Sequence, residues 1–317
     1  MTGPGALLLM LLAQVSGDPY ARTRVNPTTC QVPQRLAACV AWDAPSVSFQ
    51  QARGGGADPA MHRAVSQAIQ SWSDAFSACG NLEIREAPTT DARDFGWSGE
   101  GENVNTILFR DRACDDPGVA PPNCTRGAGC GAAHDCWDHP SNFLALTIST
   151  YECGTGRFLD TDIEVNARDF LLTTVDGPAC VPTGAAGGCS CPAPQAACVV
   201  TDVMNTMVHE LGHAVGLDHT LFPGSSMGPQ AAPGETHKRT LDEGTLSFVC
   251  EVYARDAPTA ACVVRPPDEL LGAGGGGCAA LPLGSGALPA LLVGGWLLRR
   301  RTQPPRSPGG VAEGDPS

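Results

Sequence analysis

The sequence predicts an α+β fold, and three features of its pattern support that prediction. Five β-rich or alternating runs fall at residues 47–49, 82–85, 106–109, 143–150 and 158–166. Three segments carry apolar residues at helical spacing, one after the first run and two after the last. With 317 residues, 42% of them apolar, the chain is long enough for one domain with terminal extensions, and a second large domain does not fit.

The first predicted helix covers residues 58–78. Asp58 supplies an N-cap and Pro59 occupies the first helical position. The apolar residues that recur at helical spacing are Met61, Ala64, Val65, Ala68, Ile69, Trp72, Ala75 and Phe76. This pattern predicts an amphipathic helix that closes near Gly80.

Two further helices follow the last predicted strand. The second helix covers residues 202–215. In the third, Thr240 stands three residues before Glu243, which is the spacing of a capping box. The predicted apolar face of this helix is Leu246, Val249, Cys250 and Tyr253.

Charge and cysteine content limit the partners and the compartment. The formal net charge of -13 argues against nucleic acid as a partner, because phosphate-rich surfaces need clustered Lys and Arg. The fifteen cysteines indicate an oxidising compartment, and therefore export. Residues 6–15 form an apolar run with small residues after it, so residues 1–17 are predicted to be a signal peptide, although no basic residue precedes Arg22.

The composition changes after residue 265, where the predicted domain of residues 18–265 ends. Residues 266–277 form a glycine-rich linker, and residues 278–301 contain Cys278, an apolar stretch and three arginines. This order resembles a MYXO-CTERM type of sorting tag, which implies membrane anchoring or sorting and leaves residues 302–317 as a disordered tail. A disordered apolar tail is the alternative. If the tag is real, Cys278 is a processing or lipid-attachment site, and the other fourteen cysteines permit seven bridges of unknown connectivity.

Residues 209–219 carry the strongest chemical signal, with the sequence His-Glu-Leu-Gly-His-Ala-Val-Gly-Leu-Asp-His. On a helix, His209 and His213 are four residues apart and project from one face. Gly216 can adopt a left-handed conformation that ends the helix, so that His219 can return as a third ligand. Three imidazoles leave a tetrahedral zinc with one open position, which is typical of a catalytic site.

Glu210 stands beside the first of these ligands and is the predicted general base. It can accept a proton from water at the open position without being a ligand itself. Zinc lowers the pKa of a water bound there to about 7 and stabilises the oxyanion that forms when a peptide carbonyl is attacked. The sequence therefore predicts a hydrolytic zinc site.

The stretch resembles the extended motif of the metzincins, His-Glu-x-x-His-x-x-Gly-x-x-His, and looks most like the matrixin branch. Thr220 stands where that branch usually carries serine. Met227 lies eight residues beyond His219, a suitable distance for the methionine turn of the family, as an apolar floor and not a ligand. The resemblance covers residues 40–255 and implies a twisted mixed sheet, a long helix behind it, and a zinc cleft. Residues 158–166 resemble the acidic edge strand, beside which a peptide would add a strand.

The resemblance implies a monomeric zinc endopeptidase that hydrolyses extracellular proteins or peptides and is secreted or held at the cell surface, associated with the outer membrane. Two rivals stay open: a surface adhesion module that keeps the fold without turnover, and a dedicated processing protease for one surface protein. Asp160, Asp162 and Glu164 share one face of their strand and are the candidates for structural calcium, since related enzymes carry it. Solvent exposure is favoured for them, because alternating charges are typical of an exposed edge.

Three cysteine- or histidine-rich segments have competing interpretations. His134 and His139 suggest a second zinc, but a disulfide-pinned loop is favoured. Disulfides are also favoured over zinc for the insertion that contains Cys180, Cys189, Cys191 and Cys198. Cys30 faintly resembles the thiol latch of zymogens in this family, yet pairing is favoured there too.

Overall fold

The computed structural model describes residues 18–93, 95–97, 99, 104–124, 130–183 and 188–262. Its central sheet has five strands, which we number along the chain. They are β1 (Ser46–Ala52), β2 (Glu83–Thr90), β3 (Asn105–Arg110), β4 (Ala145–Tyr151) and β5 (Phe158–Asn166). All five predicted strands are present.

The strands lie in the order β2-β1-β3-β5-β4. Four are parallel, and β4 runs antiparallel to β5. The predicted α+β class with a twisted mixed sheet is therefore confirmed at this level. Since β4 has a neighbour in the sheet on one side only, it forms one edge of the sheet, and β2 forms the other.

The prediction that residues 158–166 form an edge strand is wrong. β5 hydrogen-bonds to β3 on one side and to β4 on the other. Asp160, Asp162 and Glu164 do share one face, but they are 2%, 0% and 0% exposed. The expectation that these carboxylates face solvent is therefore also wrong. A sequence that alternates charged and apolar residues also occurs in an interior strand when a buried polar layer covers one of its faces.

Three helices accompany the sheet: α1 (Pro59–Cys79), α2 (Val203–Ala214) and α3 (Glu243–Val252). Each begins at an aspartate N-cap whose carboxylate accepts backbone N–H groups of the first turn. For α1 this cap is Asp58, as predicted, and for α2 it is Asp202.

The predicted start of α3 is wrong. Its N-cap is Asp242, which accepts hydrogen bonds from the backbone N–H groups of Gly244 and Thr245, so Thr240 is not the first residue of a capping box. Leu246 was predicted on the apolar face but is 41% exposed. Cys250 was also predicted on that face and is exposed. The buried residues of α3 are instead Gly244, Thr245, Phe248, Val249 and Val252.

The core lies between one face of the sheet and the helices. Trp72 of α1 is fully buried, and its indole N–H donates to the carbonyl of Val208 in α2 over 3.0 Å. Truncating such a buried tryptophan costs about 3–5 kcal/mol. The contact ties the long helix to the helix that carries His209 and His213.

Shorter elements complete the description. Two-residue strands pair Ala21–Arg22 with Leu217–Asp218, Leu172–Thr173 with Thr201–Asp202, and Val181–Pro182 with Cys189–Ser190. Single helical turns occur at Pro27–Cys30, Gln34–Leu36, Gly131–His134 and His237–Arg239.

Fourteen cysteines form seven disulfides, as the count predicted. The pairs are Cys30–Cys153, Cys39–Cys262, Cys79–Cys250, Cys114–Cys136, Cys124–Cys130, Cys180–Cys189 and Cys191–Cys198. The pairing of Cys30 excludes the thiol-latch alternative, and the last two pairs exclude a zinc site in the insertion. Seven disulfides hint at an extracellular protein.

The predicted signal peptide, linker, sorting segment, tail and Cys278 lie outside the described residues. Within the part of the chain that is described, no helix combines the length and the hydropathy needed to cross a bilayer.

Candidate metal centre

Helix α2 presents His209 and His213 from one face, as their spacing predicted. It ends where Gly216 takes a φ of +105°, a conformation that L side chains rarely adopt. A Cβ at this position would also lie 2.5 Å from the carbonyl oxygen of Val40. Both constraints require glycine at the turn that sends the chain back towards the helix.

His219 follows this turn directly. The preceding pair, Leu217–Asp218, forms an antiparallel ladder with Ala21–Arg22, and the Asp218 carboxylate accepts the backbone N–H of His219 over 2.7 Å. Thr220 donates its hydroxyl to the carbonyl of Asp18 over 2.9 Å. The third histidine is therefore held by the N-terminal segment as well as by the turn.

The three imidazoles meet at one point. The Nε2 atom of His209 lies 3.1 Å from Nε2 of His213 and 3.1 Å from Nε2 of His219. Nitrogen ligands about 2.0–2.1 Å from a tetrahedral zinc lie about 3.3 Å from one another, so the spacing matches. Among the described residues this is the one group of three or more His, Cys, Asp or Glu side chains with metal-ligand spacing.

The protonation of the rings explains why a cation fits here. Nδ1 of His209 donates to the carbonyl of Ser226 over 2.7 Å, and Nδ1 of His213 donates to that of Leu217 over 2.8 Å. A carbonyl only accepts, so each Nδ1 carries the proton and each Nε2 of the neutral ring carries a lone pair. Burial lowers the pKa of His209 to about 3 and also lowers that of His213, so both rings are neutral. Converging lone pairs repel each other unless a cation lies between them.

Met227 packs against the helix that carries the first two histidines, and the sequence predicts it as an apolar floor. It is fully buried, and its sulfur lies so close to Gly212 of α2 that an added Cβ would be 2.4 Å away. Gly212, which lies between the two helical histidines, was not singled out from the sequence. The structure shows that glycine is needed there because the methionine occupies the space of a side chain.

Asp242 supports the metal centre from the start of α3 and was also missed. Its carboxylate accepts the backbone N–H of Ser226 over 2.7 Å and the Ser226 hydroxyl over 2.8 Å. Since the carbonyl of Ser226 orients His209, one aspartate caps a helix and fixes a ligand through its neighbour.

Glu210 lies beside the ligands and is 6% exposed. Burial raises the pKa of its carboxyl to about 7, and a hydrogen bond from Thr147 opposes that rise. The Thr147 hydroxyl lies 2.7 Å from Oε2 of Glu210. A carboxyl with its pKa near neutrality in a buried site is suited to accept and return a proton.

Lys238 places a buried positive charge near the centre. Its ammonium group donates to the carbonyls of Gly228 and Gln230 over 2.8 and 2.6 Å and pairs with Glu235 over 3.2 Å. These contacts fix the segment that follows Met227. Burial lowers the pKa of Lys238, and the charge of Glu235 opposes that effect.

The three calcium candidates lie on the opposite face of the sheet. Glu164 is held by Arg110, whose Nε donates to it over 2.6 Å. Asp162 accepts the backbone N–H groups of Gly96 and Thr106 over 2.6 and 2.8 Å. Together with Asp160, these carboxylates do not form a cluster of metal-ligand spacing within the described chain. Calcium at the remaining Asp160–Asp162 pair stays a prediction.

The second-zinc interpretation finds no support among the described residues. His139 lies 3.2 Å from Glu164 and 3.3 Å from Asp138, in a layer of ion pairs. His134 is not part of any group with metal-ligand spacing in that part of the chain. Two disulfides pin this segment, so the favoured prediction of a cross-linked loop is confirmed.

The structure thus brings His209, His213 and His219 together, places Glu210 beside them and packs Met227 against their helix. No protein-family profile matches the chain, and no curated protein matches its sequence.

Proposed function

We propose that the protein is a zinc-dependent endopeptidase of the metzincin type, matrixin-like in its motif. One observation carries the proposal. The Nε2 atom of His209 lies 3.1 Å from the Nε2 atoms of both His213 and His219, and the buried Glu210 follows His209 in the same helix. The donor set favours zinc, because neutral imidazoles suit it and leave one position open. The mixed sheet is compatible with the α+β class, and the left-handed Gly216 ends the helix before His219.

A zinc ion held by the three histidines supplies a Lewis acid that polarises a peptide carbonyl and makes water acidic. Glu210 accepts a proton from the attacking water, and the water oxygen bonds to the carbonyl carbon. The carbon–nitrogen bond then breaks as Glu210 returns the proton to the leaving nitrogen. Its raised pKa of about 7 allows the carboxyl to serve in both directions near neutral pH.

The substrate would bind along β4, not along β5 as the sequence suggested. β4 is an edge strand among the described residues, and its Thr147 contacts Glu210 directly, so this edge lies close to the candidate metal centre. An extended peptide adds a strand to such an edge through backbone hydrogen bonds. This mode recognises main chain and therefore suits extended protein or peptide segments of varied sequence.

We also propose that the protein is exported and acts at the cell surface. The seven disulfides support export, and the predicted sorting segment supports retention at the cell surface. We further propose that the chain acts as a monomer on protein or peptide substrates.

The proposal is tested with the purified, oxidised full chain, its Glu210→Gln variant and a matched control, Glu83→Gln. Glu83 is an exposed glutamate on β2, the opposite edge of the sheet. Metal analysis should find one zinc per chain in all three proteins. Casein and a quenched peptide library should be cleaved by the wild type and the control, with turnover reduced about 10²–10⁴-fold in Glu210→Gln.

The rivals give different results. A zinc-loaded wild type that cleaves neither casein nor the library would contradict the proposal and favour a surface adhesion module. Cleavage of one surface protein alone, with no activity on casein, would favour a dedicated processing enzyme.

A further inference from the structure

Thr147 links the edge strand β4 to the helix that carries the metal ligands. Its side chain is 3% exposed and lies on the helix-facing side of the sheet. The hydroxyl oxygen lies 2.7 Å from the Oε2 atom of Glu210 and 3.0 Å from the backbone oxygen of the same residue. Threonine in a buried strand is usually explained by packing and β propensity, yet this hydroxyl faces two acceptors of one residue.

A hydroxyl has one proton, so its two acceptors compete for it. The carboxylate wins when it is ionised, because charge-assisted hydrogen bonds are shorter and roughly twice as strong as neutral ones. The shorter of the two distances is the one to Oε2. Among the hydrogen bonds made by the described residues, none engages the other carboxylate oxygen, Oε1.

We propose that Thr147 is a positioning residue for Glu210. Its hydroxyl fixes Oε2 and leaves Oε1 directed to the attacking water, so that proton transfer uses one defined oxygen. This inference rests on the proposed function. It assigns to a strand residue a role in catalysis that the histidine motif alone does not contain.

The location of Thr147 gives the contact a second consequence. The peptide would pair with the free edge of β4, and the same strand holds the general base through one hydroxyl. The substrate backbone and the base therefore share a rigid support. Since a misplacement of about 1 Å can cost about 10²-fold in rate, such a support matters for the chemical step.

The test compares Thr147→Val, which has the same shape without the hydroxyl, with Thr147→Ser, which keeps the hydroxyl. In the zinc-loaded full chain we expect Thr147→Val to lower kcat about 10–100-fold with KM changed less than about threefold. Thr147→Ser should restore kcat to within a few-fold of the wild type. Zinc content should equal that of the wild type in both variants.

A second measurement reads the position of Glu210 without turnover. Acetohydroxamate binds metal centres and donates its hydroxyl proton to a nearby carboxylate, so its affinity depends on where Glu210 points. Calorimetry should show affinity about 5–10-fold weaker in Thr147→Val and unchanged in Thr147→Ser. A wild type that binds acetohydroxamate but cleaves no peptide would contradict the proposed function alone, and this comparison would still decide the role of Thr147.

Three results would overturn the inference. They are a Thr147→Val variant with wild-type kcat and acetohydroxamate affinity, a variant in which only KM rises, and a loss of zinc in Thr147→Val. The second would mean that the hydroxyl serves substrate binding, and the third that it supports the ligands.

Discussion

The two faces of the central sheet both bury charged and polar groups, but they satisfy them differently. On the helix-facing side, the Nε2 atom of His209 lies 3.1 Å from the Nε2 atoms of both His213 and His219. On the opposite side, the carboxylate of Glu164 accepts a hydrogen bond from the Nε–H of Arg110. The carboxylate of Asp162 accepts hydrogen bonds from two backbone N–H groups. The first arrangement has the spacing of metal ligands and could hold a cation. In the second arrangement, protein groups supply most of the hydrogen bonds and ion pairs that the carboxylates need. Buried acidic residues alone therefore do not indicate a metal site.

The largest effect on stability is expected where a charge on the second face loses its partner. Arg110→Met leaves the buried Glu164 with its contact to His139 but without its arginine partner, and also removes the ion pair with Asp135. Removing one partner of a buried pair costs about 3–5 kcal/mol. Denaturant unfolding should show this loss, and zinc content at low temperature should stay at the wild-type level. A fall in zinc content of the folded variant would show that the two faces are not independent.

Asp242→Ala should affect stability and the metal together. The variant loses the N-cap of α3 and the contacts that hold Ser226, so we expect a loss of about 2–3 kcal/mol. Because the carbonyl of Ser226 orients His209, zinc affinity should fall about 10–100-fold. Competition with a chromogenic chelator measures this zinc affinity. The matched control is Asp58→Ala, which removes the N-cap of α1 and should leave zinc affinity unchanged.

Gly212→Ala tests the methionine floor with a single added methyl group. The new Cβ would meet the sulfur of Met227 at 2.4 Å, and overpacking of this kind costs about 1–3 kcal/mol. Thermal unfolding should detect the loss. Combining the change with Met227→Ala should recover part of the stability, since the methionine then vacates the space. No recovery in the double variant would contradict this explanation.

The smallest effect is expected from the Asp160–Asp162 pair, and it depends on pH. Burial raises the pKa of Asp160 to about 6, and burial together with the neighbouring charge raises that of Asp162. When the pKa of a carboxyl is higher in the folded than in the unfolded state, the free energy of unfolding falls as the pH rises through the folded-state pKa. The reason is that the carboxyl ionises more easily in the unfolded chain. Asp160→Asn should therefore gain about 1 kcal/mol relative to the wild type between pH 5 and pH 8.

The same variant tests the calcium prediction. If the pair binds calcium, millimolar Ca²⁺ will raise the melting temperature of the wild type, and Asp160→Asn will lose that rise. If Ca²⁺ has no effect on either protein, calcium is excluded at this pair. The pH dependence without calcium then measures the repulsion between the two carboxylates.

Local signals in the sequence were sufficient for much of the fold. The Asp58-Pro59 pair predicted the start of α1 because capping depends on adjacent residues alone. The spacing of the histidines likewise predicted their convergence, since helix geometry and one glycine turn determine it. These predictions required no knowledge of distant contacts.

Long-range contacts account for what the sequence did not reveal. The position of β5 inside the sheet depends on how β3 and β4 pair with it, and the buried polar layer above it mimics the pattern of an exposed face. The sequence pointed to Thr240 at the start of α3, whereas Asp242 caps the helix and also binds Ser226, sixteen residues earlier. Thr147 carried no signal at all, because its partner Glu210 is 63 residues away.

The most direct test of the account is zinc binding by the oxidised full chain at neutral pH. Calorimetry and elemental analysis should give one tightly bound zinc per chain, lost in His213→Ala and retained in His139→Ala, which alters the histidine of the opposite face. A folded wild type that binds no zinc, or a His213→Ala variant that binds it as tightly as the wild type, would contradict the central claim.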